Sequence, residues 1–358
     1  MDSRPIIIIG AGIWGSLLGL RLKKCHPEIP FEIHEPTSSI GDGIAWAFAE
    51  DAIIAGALHW LAPLISSSWK SYETHFHKYQ KKIQKNYHVV TQSDLEIMIK
   101  DELRENLFLN SCITTEEALT RGAFVFDTRN EGYYFKQSYF KKTVGFSVDL
   151  NQSSQYFFPV MADISVQQRD QFRYLKILPV NSRTLYVKDI RKSLNDKIEI
   201  ENVKNDVIDF LELKNLGIKS ISIQETHVQV LPICKSSFLE FPRVINLTDI
   251  SHDVTGECIS DAVRLIDQIM KTSMRFGEVR SIVEGYREKK MKVRNYYHFI
   301  NNLIFKLNPH RSYEFHQYLY QLPHPLIEKF HSGELSLKDI IESLMRKPLL
   351  FPVLLSKI

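Results

Sequence analysis

Four β-branched apolar residues in a row, Ile6-Ile7-Ile8-Ile9, open the hydrophobic pattern of the chain. A run without polar alternation predicts a strand buried on both faces, as in a parallel sheet. Leu17, Leu18, Leu20 and Leu22 then make Ser16 to Lys24 a mostly apolar helix, which Pro27 and Pro30 end. Phe31-Glu32-Ile33-His34-Glu35 predicts a second strand, Tyr87-His88-Val89-Val90 another, and Ala123 to Phe126 a further buried one ending in Asp127 and Arg129. Thr91 to Arg104 predicts a helix, with Ser93 as N-cap and Glu96 at the capping-box position. From Thr143 to Ile233 the pattern becomes β-rich with turns. The predicted strands are Thr143–Asp149, Tyr156–Asp163, Phe172–Pro179, Thr184–Ile190 and Ser222–Leu231, with a helix inside Leu194–Leu216. Val244 to Leu247 returns as a strand before a helix from Ile259 to about Met274, and the chain is helical from Tyr286 onward. The sum is an α/β fold: a parallel sheet with helices, beside a mixed or antiparallel sheet.

At 358 residues, 44% hydrophobic and 24% charged, the chain has the composition of an ordinary soluble protein with a large core. A formal net charge of +3 gives no case for nucleic acid. Cys25, Cys112, Cys234 and Cys258 are scattered, which suits a reducing cytosol and supplies neither a zinc nor a disulfide framework. A strand so close to Met1 leaves no signal peptide to expect, and no stretch approaches the roughly twenty apolar residues of a membrane span.

Chemistry enters between the first strand and the first helix. Gly10-Ala11-Gly12-Ile13-Trp14-Gly15 is a G-x-G-x-x-G turn, and Glu35 ends the second strand 20 residues beyond Gly15. Strand, glycine turn, helix, strand and acid form the dinucleotide-binding fingerprint. Gly10 allows the tight turn, Gly12 lets a pyrophosphate approach the backbone, Gly15 lets helix and strand pack closely, and Glu35 can bond a ribose. A second loop–helix junction comes late, where Asp249 precedes Thr255-Gly256-Glu257 and a helix. Paired with the first, it is the arrangement by which flavoproteins clasp FAD from both ends. A plain helix-start turn is its bland reading. Trp46, Trp60 and Trp69 form either a core or the wall of an apolar cavity. Arg287 to Arg294 is strongly basic, a solvated helix face or a membrane-surface contact.

Taken together, these stretches resemble the bacterial lycopene cyclases, flavoproteins that close the end rings of carotenoids. The likeness runs over nearly the whole chain. It rests on Pro5 to Leu20, Trp46-Ala47-Phe48, Trp60 to Leu64 with Trp69, Pro159 to Gln168, Leu178-Pro179, Val230-Leu231-Pro232, and Thr255-Gly256 with Asp261-Ala262-Val263. The most specific part is Leu322-Pro323-His324-Pro325-Leu326-Ile327-Glu328-Lys329-Phe330. The resemblance implies a glutathione-reductase-type Rossmann FAD-binding domain with a mixed or antiparallel substrate domain and a helical C-terminal part. It places the first part of the FAD domain at 1–142, with 44–80 toward the substrate side, the substrate domain at 143–233, the FAD return segment at 234–285 and the helical part at 286–358. It also implies cofactor-binding roles for Gly10, Gly12, Gly15, Glu35, Asp249, Thr255 and Gly256. The expected substrate is an apolar polyene or isoprenoid drawn from membrane, cyclised by non-redox proton addition and loss with reduced FAD. NAD(P)H would only keep the flavin reduced, and a cytoplasmic protein attached peripherally to membrane follows.

The match fails at the acid. The family carries a Leu-Ile-Glu-Asp-Thr stretch whose Glu is the acid–base residue; here Leu185-Tyr186-Val187-Lys188-Asp189-Ile190 puts Lys188 in that place. A lysine ammonium is a weaker acid than a glutamic acid by roughly 8 kcal/mol, and its charge would repel a forming carbocation. Glu257 also stands where the family has Tyr. Three readings stay open: Asp189 acts as the acid, which needs a bulge because adjacent strand residues face opposite ways; Glu257 takes the role; or a cyclase relative does other chemistry with FAD. The candidate catalytic residues are therefore Lys188, Asp189 and Glu257. The competing functions are an FAD-dependent oxidoreductase or monooxygenase on another apolar substrate, and a binder of flavin or isoprenoid without turnover.

Overall fold

The structure, a computed structural model, describes residues 4–41, 45–129, 138–168, 171–232, 241–247, 258–305, 307–332, 336, 338 and 339. The first half of the chain runs β1 (Ile6–Ile9), α1 (Ile13–Cys25), β2 (Phe31–Glu35), β3 (Trp46–Ala49), α2 (Ala57–Leu61), β4 (Ser67–Phe76), β5 (Tyr79–Val90), α3 (Gln92–Glu102), β6 (Leu107–Leu109), α4 (Thr115–Arg121), β7 (Val125–Asp127) and β8 (Ser138–Leu150). The second half runs β9 (Val160–Asp163), β10 (Phe172–Pro179), β11 (Thr184–Ser193), α5 (Ile200–Leu213), β12 (Ile218–Pro232), β13 (Val244–Asn246), α6 (Cys258–Ile269), α7 (Phe276–Phe305), α8 (Pro309–Gln321) and α9 (His324–Ser332). Two compact units result: residues 1–68, 87–134 and 236–292, and residues 69–86, 135–235 and 293–358.

The first unit is a Rossmann unit, with a five-stranded sheet in the order β13-β7-β1-β2-β6. Its pairings are parallel throughout. β1 sits at the centre, which is why its four isoleucines carry no polar interruption. Ile6 and Ile8 join a core with Leu17, Leu18, Ile33 and Ile266, while Ile7 and Ile9 join a second one with Ile113, Ala118 and Val125. Each face of the strand thus has its own apolar layer. Trp46, Phe48, Leu61 and Leu64 extend the larger core, and Trp60 packs at its edge under the Arg21 guanidinium, 4.9 Å from the ring.

The second unit holds most of an eight-stranded mixed sheet, order β12-β8-β11-β10-β9-β4-β5-β3; β4 and β9 are parallel, and the last residues of β5 pair with β3 in the first unit. Leu185 and Val187 of β11, Leu175 and Ile177 of β10, and Val144, Phe146 and Val148 of β8 bury one face against Val203, Val207, Phe210 and Leu211 of α5. Those α5 positions recur at the three-to-four spacing of an amphipathic helix.

Several boundaries differ from the sequence reading. The strand expected at Tyr87 is the end of β5, which starts at Tyr79; its earlier residues are too polar to stand out. The α3 N-cap is Thr91, whose Oγ1 accepts from Asp94 N at 3.3 Å, because Thr91 keeps the extended backbone of the preceding strand. Ser93 is already inside the helix, and Glu96 pairs with Lys100 at 2.5 Å. The last long helix begins at Phe276, ten residues before the expected Tyr286. Among the described residues, no helix is long and apolar enough to cross a membrane.

Candidate functional site

In the first unit, β1 hands over to α1 through the glycine turn. Gly10 takes φ +99°, a left-handed conformation that an L side chain resists, and Thr128 Oγ1 lies 2.6 Å from where a Cβ would stand. The same hydroxyl donates to the Ile9 carbonyl at 2.8 Å, tying the turn to the end of β7. At Gly15 a Cβ would fall 1.9 Å from the Gly10 carbonyl oxygen. A Cβ at Gly12 would meet nothing within 4 Å. Gly12 is the N-cap of α1, whose first turn has neither a side-chain cap nor an acidic residue. A helix start of this kind offers N–H donors and a partial positive charge to an anion, with open backbone at the point of closest approach.

Glu35, at the end of β2, braces that turn. Its Oε2 accepts from Ala11 N at 2.8 Å, and its Oε1 accepts from Thr37 N at 3.2 Å and Thr37 Oγ1 at 2.9 Å. A carboxylate has about four acceptor positions, so capacity remains for a ribose hydroxyl. At the end of β7, Arg129 binds the Asp127 carboxylate through its backbone N, Nε and Nη2 at 3.0, 3.0 and 2.7 Å. Asp249, Thr255, Gly256 and Glu257 lie outside the described residues. The turn therefore fits a dinucleotide from its own side: two glycines are sterically required, and the third opens onto space.

In the second unit the two adjacent candidates part company. β11 pairs with β10 and β8 in unbroken register across Lys188 and Asp189, so their side chains leave by opposite faces. Asp189 is on the core face, fully buried, with Arg173 Nε 2.7 Å from one oxygen and Arg191 Nε 2.7 Å from the other. Arg191 also reaches Asp206 of α5 at 2.7 Å, so the network ties sheet to helix. No bulge brings Asp189 round to the Lys188 face.

Lys188 is on the other face, buried beside Tyr186, with Nζ 5.4 Å from the ring centroid. It forms an ion pair with Glu225 of β12, Nζ to Oε1 2.9 Å. The charge that the sequence reading set against a carbocation is thus compensated where it stands. Sequence reasoning missed Glu225. Its partner is 37 positions away, and simple alternation from Ile221 and Ile223 assigns it to the core face.

The same sheet carries further buried polar groups. His75 Nε2 is 2.9 Å from Glu73 and its Nδ1 3.3 Å from Asp163, with Tyr156 stacked alongside. Burial alone would lower the His75 pKa, but the hydrogen bonds and charges of Asp163 and Glu73 outweigh it and raise it above 6.5. Lys192 is pushed down to about 8 by burial and by the like charge of Lys141. His316 of α8 stacks on Phe172 at 4.2 Å, and burial with the Lys192 charge brings it to about 3. Among the described residues, no three His, Cys, Asp or Glu side chains are grouped to hold a metal ion.

Comparison with known proteins places these features in a family context. The family model described as Lycopene cyclase protein matches residues 5–356. The lycopene beta-cyclase of Pseudescherichia vulneris is 25% identical over 96% of this chain and 94% of its own. That of Pantoea ananas is 22% identical with the same coverage. Among solved structures, p-nitrophenol 4-monooxygenase from Pseudomonas putida superposes with a TM-score of 0.59 at 14% identity, covering 98% of each chain. The flavin-dependent brominase Bmp2 gives 0.54 at 13% identity, covering 96% of this chain and 99% of its own. These two likenesses are likenesses of fold.

Proposed function

The chain belongs to the lycopene cyclase family, and from that we propose that it cyclises the end of an apolar polyene by proton addition and loss with reduced FAD bound. The observation that carries the reading is the family match over residues 5–356 of a chain whose glycine turn keeps the geometry a dinucleotide needs. Gly10, Gly12 and Gly15 with the start of α1 would hold the pyrophosphate, and Glu35 the ribose. Asp249, Thr255 and Gly256 are proposed for the far end of the cofactor. When bound, reduced FAD supplies negative charge beside a forming cation or a proton to start it, and NAD(P)H serves to keep it reduced. In this division of labour, 1–142 and 234–285 carry the cofactor, 143–233 with 44–80 face the substrate, and 286–358 is the helical part.

Peripheral membrane attachment through the C-terminal helices belongs to the same proposal, because the substrate class is insoluble in water. Two residues of the basic run have inward partners: Arg287 donates to the Asn246 carbonyl at 2.9 Å and Lys290 pairs with Asp261 at 2.5 Å. Lys289 remains exposed on the same helix.

The test is incubation of the purified protein with FAD, dithionite and lycopene in liposomes, read by HPLC. A cyclic product is expected. The alternative, an FAD-dependent monooxygenase on another apolar substrate, is favoured by one observation, Lys188 in the place of the family Glu. Stoichiometric consumption of NADPH and oxygen with an oxygenated product, and no cyclisation, would establish that alternative and displace the first reading.

A further inference from the structure

β12 does not run straight past β8. Ile221 pairs with Val148 and Ile223 with Phe146, but the next pair is Glu225 with Gly145, so one residue, Gln224, is extra. A one-residue bulge reverses the faces of everything beyond it. Ile221 packs toward the core; without the bulge Glu225 would follow it there, opposite Val144. With the bulge it lies on the Lys188 face. Gly145 completes the arrangement, because a Cβ there would lie 2.5 Å from Glu225 Cγ and 2.7 Å from the Tyr186 hydroxyl. Bulge and glycine together put a carboxylate, only 4% exposed as a residue, 2.9 Å from Lys188 Nζ. The contact is close but not aligned as a hydrogen bond, and Glu225 Oε1 accepts none from any other described group.

We infer that Glu225, coupled to Lys188, is the acid–base residue of the cyclisation, replacing the acid that the strand carrying Lys188 lacks. The inference rests on the reading of the chain as a cyclase. In the proposed step the proton is delivered from Glu225: its O–H bond breaks and the proton adds to the terminal alkene of the polyene, whose π pair becomes the new C–H bond. The carboxylate left behind faces the carbocation. The π pair of a second alkene closes the ring C–C bond. A C–H bond next to the new cation then breaks, its pair becomes the ring double bond, and the proton returns to Glu225. Nothing is oxidised or reduced.

The test compares wild type with Lys188→Met/Glu225→Gln, both loaded with FAD and reduced by dithionite, on lycopene in liposomes. The double variant removes the charges together, which a fold tolerates far better than one orphaned ion. The expected result is a kcat lower by about 10²–10⁴-fold, with KM and bound flavin unchanged. If wild type cyclises lycopene and the variant stays within tenfold of it, the couple is structural and the inference falls while the cyclase reading stands. If wild type makes no cyclic product, the reading falls and takes the inference with it. Should the variant fail to hold flavin, Lys188→Met/Glu225→Ala, which also removes both charges and leaves room for a small acid, is assayed with added formate. Recovery of turnover in proportion to formate supports the role, and no recovery overturns it.

Discussion

The glycine turn after β1 and the Lys188 face of β11 differ in how their parts are spread along the chain. Ile6 to Glu35 contains the strand, turn, helix and acid of the first, all within 30 residues. The second needs Gly145, Tyr186, Lys188 and Glu225 from three strands, and one extra residue in the third. A local motif fixes geometry through backbone conformation, so its residues announce it. A face assembled across strands depends on register, and register is a property of the pairing.

That contrast is sharpest in the glycines, where the largest effect is expected. Gly15→Ala places a Cβ 1.9 Å from a backbone oxygen that has no flexible end to move. It should cost more than about 3 kcal/mol, beyond the usual overpacking range because backbone must move, seen as a lowered melting temperature together with lost flavin absorbance. Gly12→Ala meets no atom of the protein and should melt as wild type does. If Gly12 is where a pyrophosphate approaches, its flavin affinity should nonetheless fall about tenfold or more, roughly 1.4 kcal/mol. Unchanged flavin binding in Gly12→Ala would show that the turn is only structural.

Legibility followed the same division. The parallel unit could be read because β1 carries an uninterrupted apolar run, because Phe31 and Ile33 alternate with polar residues up to Glu35 in β2, and because Gly10, Gly12 and Gly15 stand at the spacing of the fingerprint between them. β8, β10, β11 and α5 were legible from their apolar patterning, with ends displaced by a few residues. β4 and most of β5 were not, since Lys81, Lys82, Gln84 and Lys85 look like loop. Glu225 was invisible for a different reason: in Ile221-Ser222-Ile223-Gln224-Glu225 the alternation is regular, and nothing in it marks the bulge. Asp189 was visible, but its role was not. Its binding by Arg173 and Arg191 depends on strand register and on the seating of α5.

Asp189→Asn sharpens the comparison inside β11 itself, and its effect comes next in size. Removing the carboxylate leaves two buried guanidiniums with Asp206 as their remaining acid. That partial compensation holds the loss toward the low end of the about 3–5 kcal/mol that breaking a buried pair costs, measurable as a shift in the denaturation midpoint. If Asp189 serves the fold and not the chemistry, enzyme that remains folded below that midpoint keeps its turnover per bound flavin. A folded variant with no turnover would return Asp189 to the list of acids.

The smallest effect concerns His75, which stands between Asp163 and Glu73 at the parallel β4–β9 pairing. Its folded pKa is raised above 6.5: burial pulls it down, and the two carboxylates pull it up further. Tyr156, stacked at 6.4 Å, is held protonated by burial and by the same two acids, so it adds no charge in this range. Below pH 6.5 the imidazole is charged in both folded and unfolded chains, and its contribution to stability is fully present. Above 6.5 the unfolded chain gives up its proton while the folded one keeps it. Stability therefore falls as pH rises through the folded pKa. Thermal melts at pH 6 and pH 8 should show wild type losing more than His75→Gln over that interval, because the amide has nothing to titrate. Equal losses would mean that His75 is neutral in the folded protein and only bridges the two acids by hydrogen bonding, leaving the strand pair held by its backbone ladder.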